Sequence, residues 1–345
     1  MRLRGAACRR PSCSGPRIMT HRWSKAALSV GGAPELEHRV GPNRYRLVES
    51  PPVAPRASGA GDDNDARAEA YVEQAGRVPP RNLQRLSHVY GPSTWDVYKR
   101  LDFSLGPAGP DSLFDMAATY VAAGQVVLDA GCRDGAHLIE LVRRFDVDGG
   151  GVEPGALHVE RGEEAVLAAG LADRITLHHG VMHELPYPDC YFDFVWCRDV
   201  LEQIDDLDGA LVEMLRVMKP AARLLVYTVV ATDLLTADDA EVMRRHLGNV
   251  EGNLDREAVE AAFARSGFAV ESVKVIGTEW REYAEERTQP VSRALLRLAR
   301  LRRQRDDIVH EHGQDIYEHI EANLHWELFQ FLGKLEPLVY VLRAW

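Results

Sequence analysis

The residues that could do chemistry first gather in one run, Val126-Val127-Leu128-Asp129-Ala130-Gly131-Cys132-Arg133-Asp134-Gly135. The apolar stretch reads as a buried strand. The glycines after it permit positive φ and let backbone approach a ligand closely. The helix expected next opens with N–H groups that have no partner inside the helix. A second acid, Glu153, stands 24 residues after Asp129, at the expected end of the following strand. A carboxylate there can accept the two hydroxyls of a ribose. The spacing Gly131-Cys132-Arg133-Asp134-Gly135 is not Gly-x-Gly-x-x-Gly, which disfavours a nicotinamide-dependent oxidoreductase.

These residues need a scaffold, and the flanking pattern supplies one. Strands are expected at Val126–Ala130, up to Gly151–Glu153, at Ile175–His179, Phe192–Cys197, Arg223–Val230, Phe268–Ile276 and Leu335–Leu342. Helices are expected at Ala136–Phe145, Leu157–Ala169, Leu207–Met218 and Leu254–Ser266. Alternating strands and helices with continuous apolar strands predict an α/β fold, a mostly parallel sheet covered on both faces. Asp111 is expected to cap a helix through Phe114, Met116, Ala117 and Tyr120. Trp280 to Gly333 breaks the rhythm and reads as helices.

Composition bounds the rest. The chain has 345 residues, 46% apolar and 27% charged, enough for a sizeable core. A net charge of −11 argues against a nucleic-acid-tracking surface. Five cysteines without ligand spacing argue against a disulfide framework or a metal site. No apolar run has the length of a membrane span, and a cytoplasmic location is expected. The first 25 residues hold seven Arg/Lys and no acid, and Ser50–Asp65 is rich in Pro, Ala, Gly and Asp. The expected organisation is a disordered basic leader and linker over 1–80 and a helical cap over 81–121. A core follows over 122–277, then a helical insertion over 278–334 and a final core strand over 335–345.

Leu128 to Gly135, Gly151-Val152-Glu153, Gly180 to Tyr187, Tyr191-Phe192-Asp193-Phe194-Val195, Val200 to Ile204 and Glu213 to Pro220 occur in that order. Together they resemble the ordered motifs of class I S-adenosylmethionine-dependent methyltransferases, in the small-molecule group that includes ubiquinone and sterol methyltransferases. The resemblance implies a Rossmann-like seven-stranded sheet and S-adenosylmethionine as cofactor. It implies cofactor contacts from Asp129, Gly131, Cys132, Gly135, Glu153, the Val181-Met182 loop and Asp199. It also implies methyl transfer to a small molecule, on oxygen or carbon. Arg133, Val181 and Gln203 depart from the family pattern, and Pro220-Ala221-Ala222 replaces its Pro-Gly-Gly turn. The alternative is therefore a catalytically degenerate partner protein on the same fold.

Two segments are free to cover the ligand edge: one with Tyr90, Trp95, Tyr98 and Arg100, the other with Trp280, Tyr283, Tyr317, His319, His325 and Trp326. Aromatic lids suit a water-poor transfer site. His183, His319 and His325 are the weak candidates for a base, although a single histidine is more often structural. The arginine- and leucine-rich stretch Arg293–Arg305 reads as a solvated helix packed on its leucine side, with peripheral membrane contact the lesser reading.

Overall fold

The computed structural model describes residues 85–86 and 89–344. The basic leader and linker expected over 1–80 fall outside them. Seven strands form the sheet: β1 Val126–Ala130, β2 Asp148–Glu153, β3 Ile175–His179, β4 Phe192–Arg198, β5 Met218–Ala231, β6 Phe268–Val275 and β7 Leu335–Ala344. Their order is β3-β2-β1-β4-β5-β7-β6. The first five are parallel, and β7 runs antiparallel to both its neighbours. From β1 the chain winds outward in both directions, which opens a crevice at the carboxyl ends of β1 and β4.

The central strands alternate their side chains between two cores. Phe194, Trp196, Leu225, Tyr227 and Val229 face one side of the sheet. There they meet Leu113, Phe114 and Ala117 of α2 (Ser112–Ala117), which follows α1 (Pro92–Leu101), and Leu138, Leu141 and Val142 of α3 (Ala136–Phe145). Val195, Cys197, Leu224, Val226 and Val230 face the other side. They pack on α5 (Leu207–Val217) through Leu211 and Met214, and on α7 (Arg256–Arg265) through Val259 and Phe263. Between α3 and α5 lies α4 (Ala156–Ala168), which follows β2.

Strand β2 is built from Gly149, Gly150 and Gly151, and their lack of side chains lets neighbours close in. A Cβ on Gly149 would lie 2.5 Å from Leu138 Cδ1, and one on Gly150 would lie 2.5 Å from the Tyr187 hydroxyl.

Several elements differ from the sequence expectation. β5 begins at Met218 and absorbs Pro220-Ala221-Ala222, with a register shift opposite Phe192 and Phe194. α6 (Ala237–Leu247) was not foreseen, because it buries only Met243 and its few apolar residues are set among charged ones. Its legible signal is the capping box formed by Thr236 and Asp239. The expected helix Leu254–Ser266 divides where Asp255 caps α7 by accepting from Ala258 N, leaving Glu251–Leu254 as a 3-10 turn. α2 stops at Ala117, and Asp111 pairs with Arg144 at 3.3 Å instead of capping. α1 (Pro92–Leu101) buries no residue.

The insertion forms α8 (Glu279–Thr288), α9 (Pro290–Arg303), α10 (Arg305–His312) and α11 (Gln314–Phe331). On α9 Leu298 and Leu301 are buried, whereas Leu295 and Leu296 are exposed, so only half of the expected leucine side packs. No helix among the described residues is long and apolar enough to cross a membrane.

Gly149→Val should destabilise the fold by about 1–3 kcal/mol, because the added atoms overpack Leu138. Gly180→Ala, whose Cβ would meet only Val152 at 3.5 Å, should change stability little. Urea unfolding of both variants checks the contrast.

Candidate cofactor and acceptor site

β1 delivers a buried acid and then turns sharply. Gly131 has φ +81°. Its N–H and that of Cys132 both donate to Val152 O, at 2.9 and 3.1 Å, and so lock the turn to β2. A Cβ on Gly131 would collide with Val200, just beyond β4. Arg133 takes φ +47°, a conformation that costs a side-chain-bearing residue about 1–2 kcal/mol. Its N–H donates to Glu153 Oε2 at 3.1 Å, while Gly155 N–H donates to Glu153 Oε1 at 3.0 Å. One carboxylate therefore holds the loop after β1 and the loop after β2. Gly135, with φ +70°, opens α3 with no side-chain cap.

Under this turn Asp129 is 1% exposed, and its Oδ2 has no hydrogen-bond partner. Burial pushes its carboxyl up to about 7, against the pull of Arg198. An unpartnered acceptor beside a glycine turn and an anchored second acid fits the ammonium and ribose of an amino-acid nucleoside.

Arg198 ends β4 and gathers the surrounding polar groups. It donates to His137 Nε2 at 2.9 Å and to Asp199 at 3.4 Å, and it lies over the rings of Tyr227 and Trp280. Burial and then Arg198 push His137 down to about 4, so this imidazole is a neutral acceptor. Asp199 takes φ +57° and donates its N–H to Tyr227 O at 3.1 Å. Its side chain is 46% exposed, and Arg198 is its ion-pair partner at 3.4 Å.

Asp199 lies on a cavity of about 120 Å³ that Glu202, Gln203, Leu247, Asn249, His319, Asn323 and Trp326 also line. Glu202 is tied by Thr228 Oγ1 at 2.7 Å and Val229 N at 2.6 Å, and burial pushes it up to about 7. Gln203 donates to Leu247 O at 2.9 Å.

The structure brings Asp129, Gly131, Cys132, Gly135 and Glu153 together at the ends of β1 and β2. Cys132 is buried; Met182 is also buried and would lie 3.1 Å from a Cβ on Gly131. Val181 is half exposed. Among the histidines, His319 lines the cavity, with Nδ1 donating to His246 O and Nε2 accepting from Asn323, each at 2.8 Å. His183 bonds Asp206 O, and His325 stacks on Phe329 beside Arg302, so neither lines the cavity. Trp280 stacks on Tyr227 at 4.9 Å, whereas Tyr90, Trp95 and Tyr98 are exposed.

Sequence reasoning missed Arg198, His137, Tyr227 and Asn249. It also missed Arg281, which is clamped by Glu327 and Gln330. Their partners are distant in sequence and leave no local spacing. Among the described residues no cluster suited to a metal ion occurs.

Residues 128–226 match the family described as a methyltransferase domain. The 27-O-demethylrifamycin SV methyltransferase of Amycolatopsis mediterranei (strain S699) is 28% identical over 47% of this chain and 62% of its own length. The sterol 24-C-methyltransferase erg6 of Aspergillus fumigatus is 29% identical over 43% of this chain and 41% of its own length. The chain thus spans less than two thirds of the length of these curated relatives.

Two solved structures share the fold. The [4+2]-cyclase SpnF has TM-score 0.55 and 21% identity, covering 68% of this chain and 81% of its own. The geranyl diphosphate C-methyltransferase of Streptomyces coelicolor A3(2) has TM-score 0.51 and 14% identity, covering 68% of this chain and 77% of its own.

Residues 128–226 thus carry a match to a methyltransferase domain, and the sheet around them has the fold of these solved structures. The buried acid Asp129 carries a pH signature. A raised carboxyl favours the protonated folded state, so the unliganded protein loses stability as pH climbs from 3.8 towards about 7. The ionised form is the one that attracts a ligand ammonium. Affinity for S-adenosylhomocysteine should therefore rise roughly tenfold from about pH 6 to pH 8. Equilibrium dialysis across that range checks it. Asp129→Asn should flatten the profile; an identical slope in the variant contradicts the assignment.

Proposed function

We propose that this protein transfers the methyl group of S-adenosylmethionine to a small-molecule acceptor, on oxygen or carbon, in the cavity beside Asp199. The contact of Gly131 with Val200 carries the reading. It makes the glycine turn contiguous with the segment whose neighbour, Asp199, lines the cavity. When bound, the cofactor supplies an electrophilic methyl on a sulfonium.

The chain's own task is orientation and exclusion of water. Asp129 would hold the ammonium, and Glu153, already aligned by Arg133 and Gly155, would take the ribose hydroxyls. Gly131, Cys132 and Gly135 would shape the methionine end, and Val181-Met182 would cover the adenine. Trp280 and Trp326 would keep the acceptor side dry.

Asp199 would take the proton of an acceptor hydroxyl, or steady positive charge at an acceptor carbon. Its carboxyl is 46% exposed and lies on the cavity, where it can meet an acceptor group. We favour it over His319, whose two ring nitrogens are already bonded.

A labelled-methyl transfer screen over metabolite fractions tests the reading. Asp199→Asn should lower kcat about a hundredfold on any acceptor found, and a loss of S-adenosylhomocysteine affinity without a loss of kcat would instead assign Asp199 to the cofactor side that the resemblance implies. Unchanged turnover removes Asp199 from the chemistry. A second reading has its own support: Arg133, Val181 and Gln203 depart from the family pattern, and a [4+2]-cyclase shares the fold. That reading predicts cofactor binding without transfer to any fraction.

A further inference from the structure

We propose that α9 and α1 form a face that docks on an anionic lipid bilayer, with arginines at the headgroups and leucines and aromatic rings in the apolar boundary. α9 packs on α11 through Val291, Ala294 and Leu298. Its other side leaves Leu295 and Leu296 exposed among arginines.

The charge on that side is unmatched. α9 holds five arginines and no acid. Arg302 pairs with Glu321 of α11. Arg293, Arg297, Arg300 and Arg303 are exposed, and among the described residues their guanidiniums have no carboxylate partner. Steps of three and four residues set these four along one side of the helix. Arg144, Arg174, Arg216 and Arg223 of the core each have a carboxylate partner. In a chain of net charge −11, a stripe of free guanidiniums selects an anionic partner.

α1 supplies an independent observation. It buries no residue, and Trp95, Tyr98 and Leu101 recur at three-residue steps. The rings of Trp95 and Tyr98 lie 6.5 Å apart, and these three side chains, with Phe103 and Leu105 beyond them, are more than half exposed. A run of large apolar groups left in water marks an interaction surface. The two helices converge on the last turn of α8. There Glu286 accepts from Ser104 Oγ and Glu285 accepts from Val291 N, each at 2.8 Å. A bilayer boundary uses both kinds of group: guanidiniums reach phosphates on long apolar stems while leucines and aromatic rings sink between the headgroups. A nucleic acid would engage the arginines and leave the leucines, Trp95 and Phe103 in water.

Co-sedimentation of the full chain tests this, with phosphatidylcholine vesicles beside vesicles in which about a third of the lipid is phosphatidylserine. The anionic vesicles should bind at least about tenfold tighter. The quadruple variant Arg293→Gln, Arg297→Gln, Arg300→Gln, Arg303→Gln should lose most of that preference. The double variant Trp95→Ser, Phe103→Ser should bind the anionic vesicles at least about threefold more weakly. Every site changed is exposed, so both variants should keep the wild-type urea midpoint. Equal binding to the two vesicle types, or none, overturns the proposal. So does a preference unchanged in the quadruple variant, since the basic residues 1–25 that every variant keeps would then carry the contact. Full binding by the double variant, or tighter binding to duplex DNA than to the vesicles, marks a general polyanion surface and also overturns it.

Discussion

The carboxylate of Glu153 is the constraint on which the rest of the site depends. It accepts from Arg133 N–H and Gly155 N–H at once, joining the loop after β1 to the loop after β2. Without it, Arg133 would have little reason to hold a positive φ, and the turn would lose its fixed curvature. The sheet order places both loops at the crevice where the winding reverses, so a local tie between two strands shapes the whole ligand edge. Charge-assisted bonds to backbone N–H groups are among the stronger ones a carboxylate makes. Each carboxylate oxygen still has capacity to accept from a further donor.

Around that tie the electrostatics are deliberately incomplete. Asp129 is buried with an unpartnered oxygen, and Arg198, its nearest compensating cation, is shared with Asp199 and His137. A buried acid in this state is costly to ionise, and a cationic ligand repays the cost. The insertion helices add a second layer. Trp280 stacks on Tyr227, and Arg281 is clamped by Glu327 and Gln330 over the end of β5. These contacts connect α8 and α11 to the strand edge, and Trp326 and His319 of α11 line the cavity beside Asp199.

Much of this was legible in the residues. The strand, glycine turn and helix from Val126 to Phe145 appear where the apolar run, Gly131 and Gly135 place them. The apolar runs of β4 and β7 are equally plain, because buried strands advertise themselves by composition. The early start of β5 was hidden by Pro220, which suggested a turn, whereas the strand carries it at a register shift. α6 was hidden because a short, mostly charged segment with one buried side chain carries little apolar signal. The pairing of Arg198 with His137 spans 61 residues, and that of Arg281 with Glu327 spans 46. Contacts at such separation are products of the fold and have no local pattern to read. The histidines show the converse: type alone nominated His183, His319 and His325, and only His319 lines the cavity.

The most direct test of the central claim is calorimetric titration of S-adenosylhomocysteine into the purified protein, with Asp129→Ala and Glu153→Ala alongside. The account predicts one saturable site in the wild type, weakened about tenfold or more in each variant while both stay folded. A folded wild type that does not bind, or binding that neither substitution alters, would contradict it.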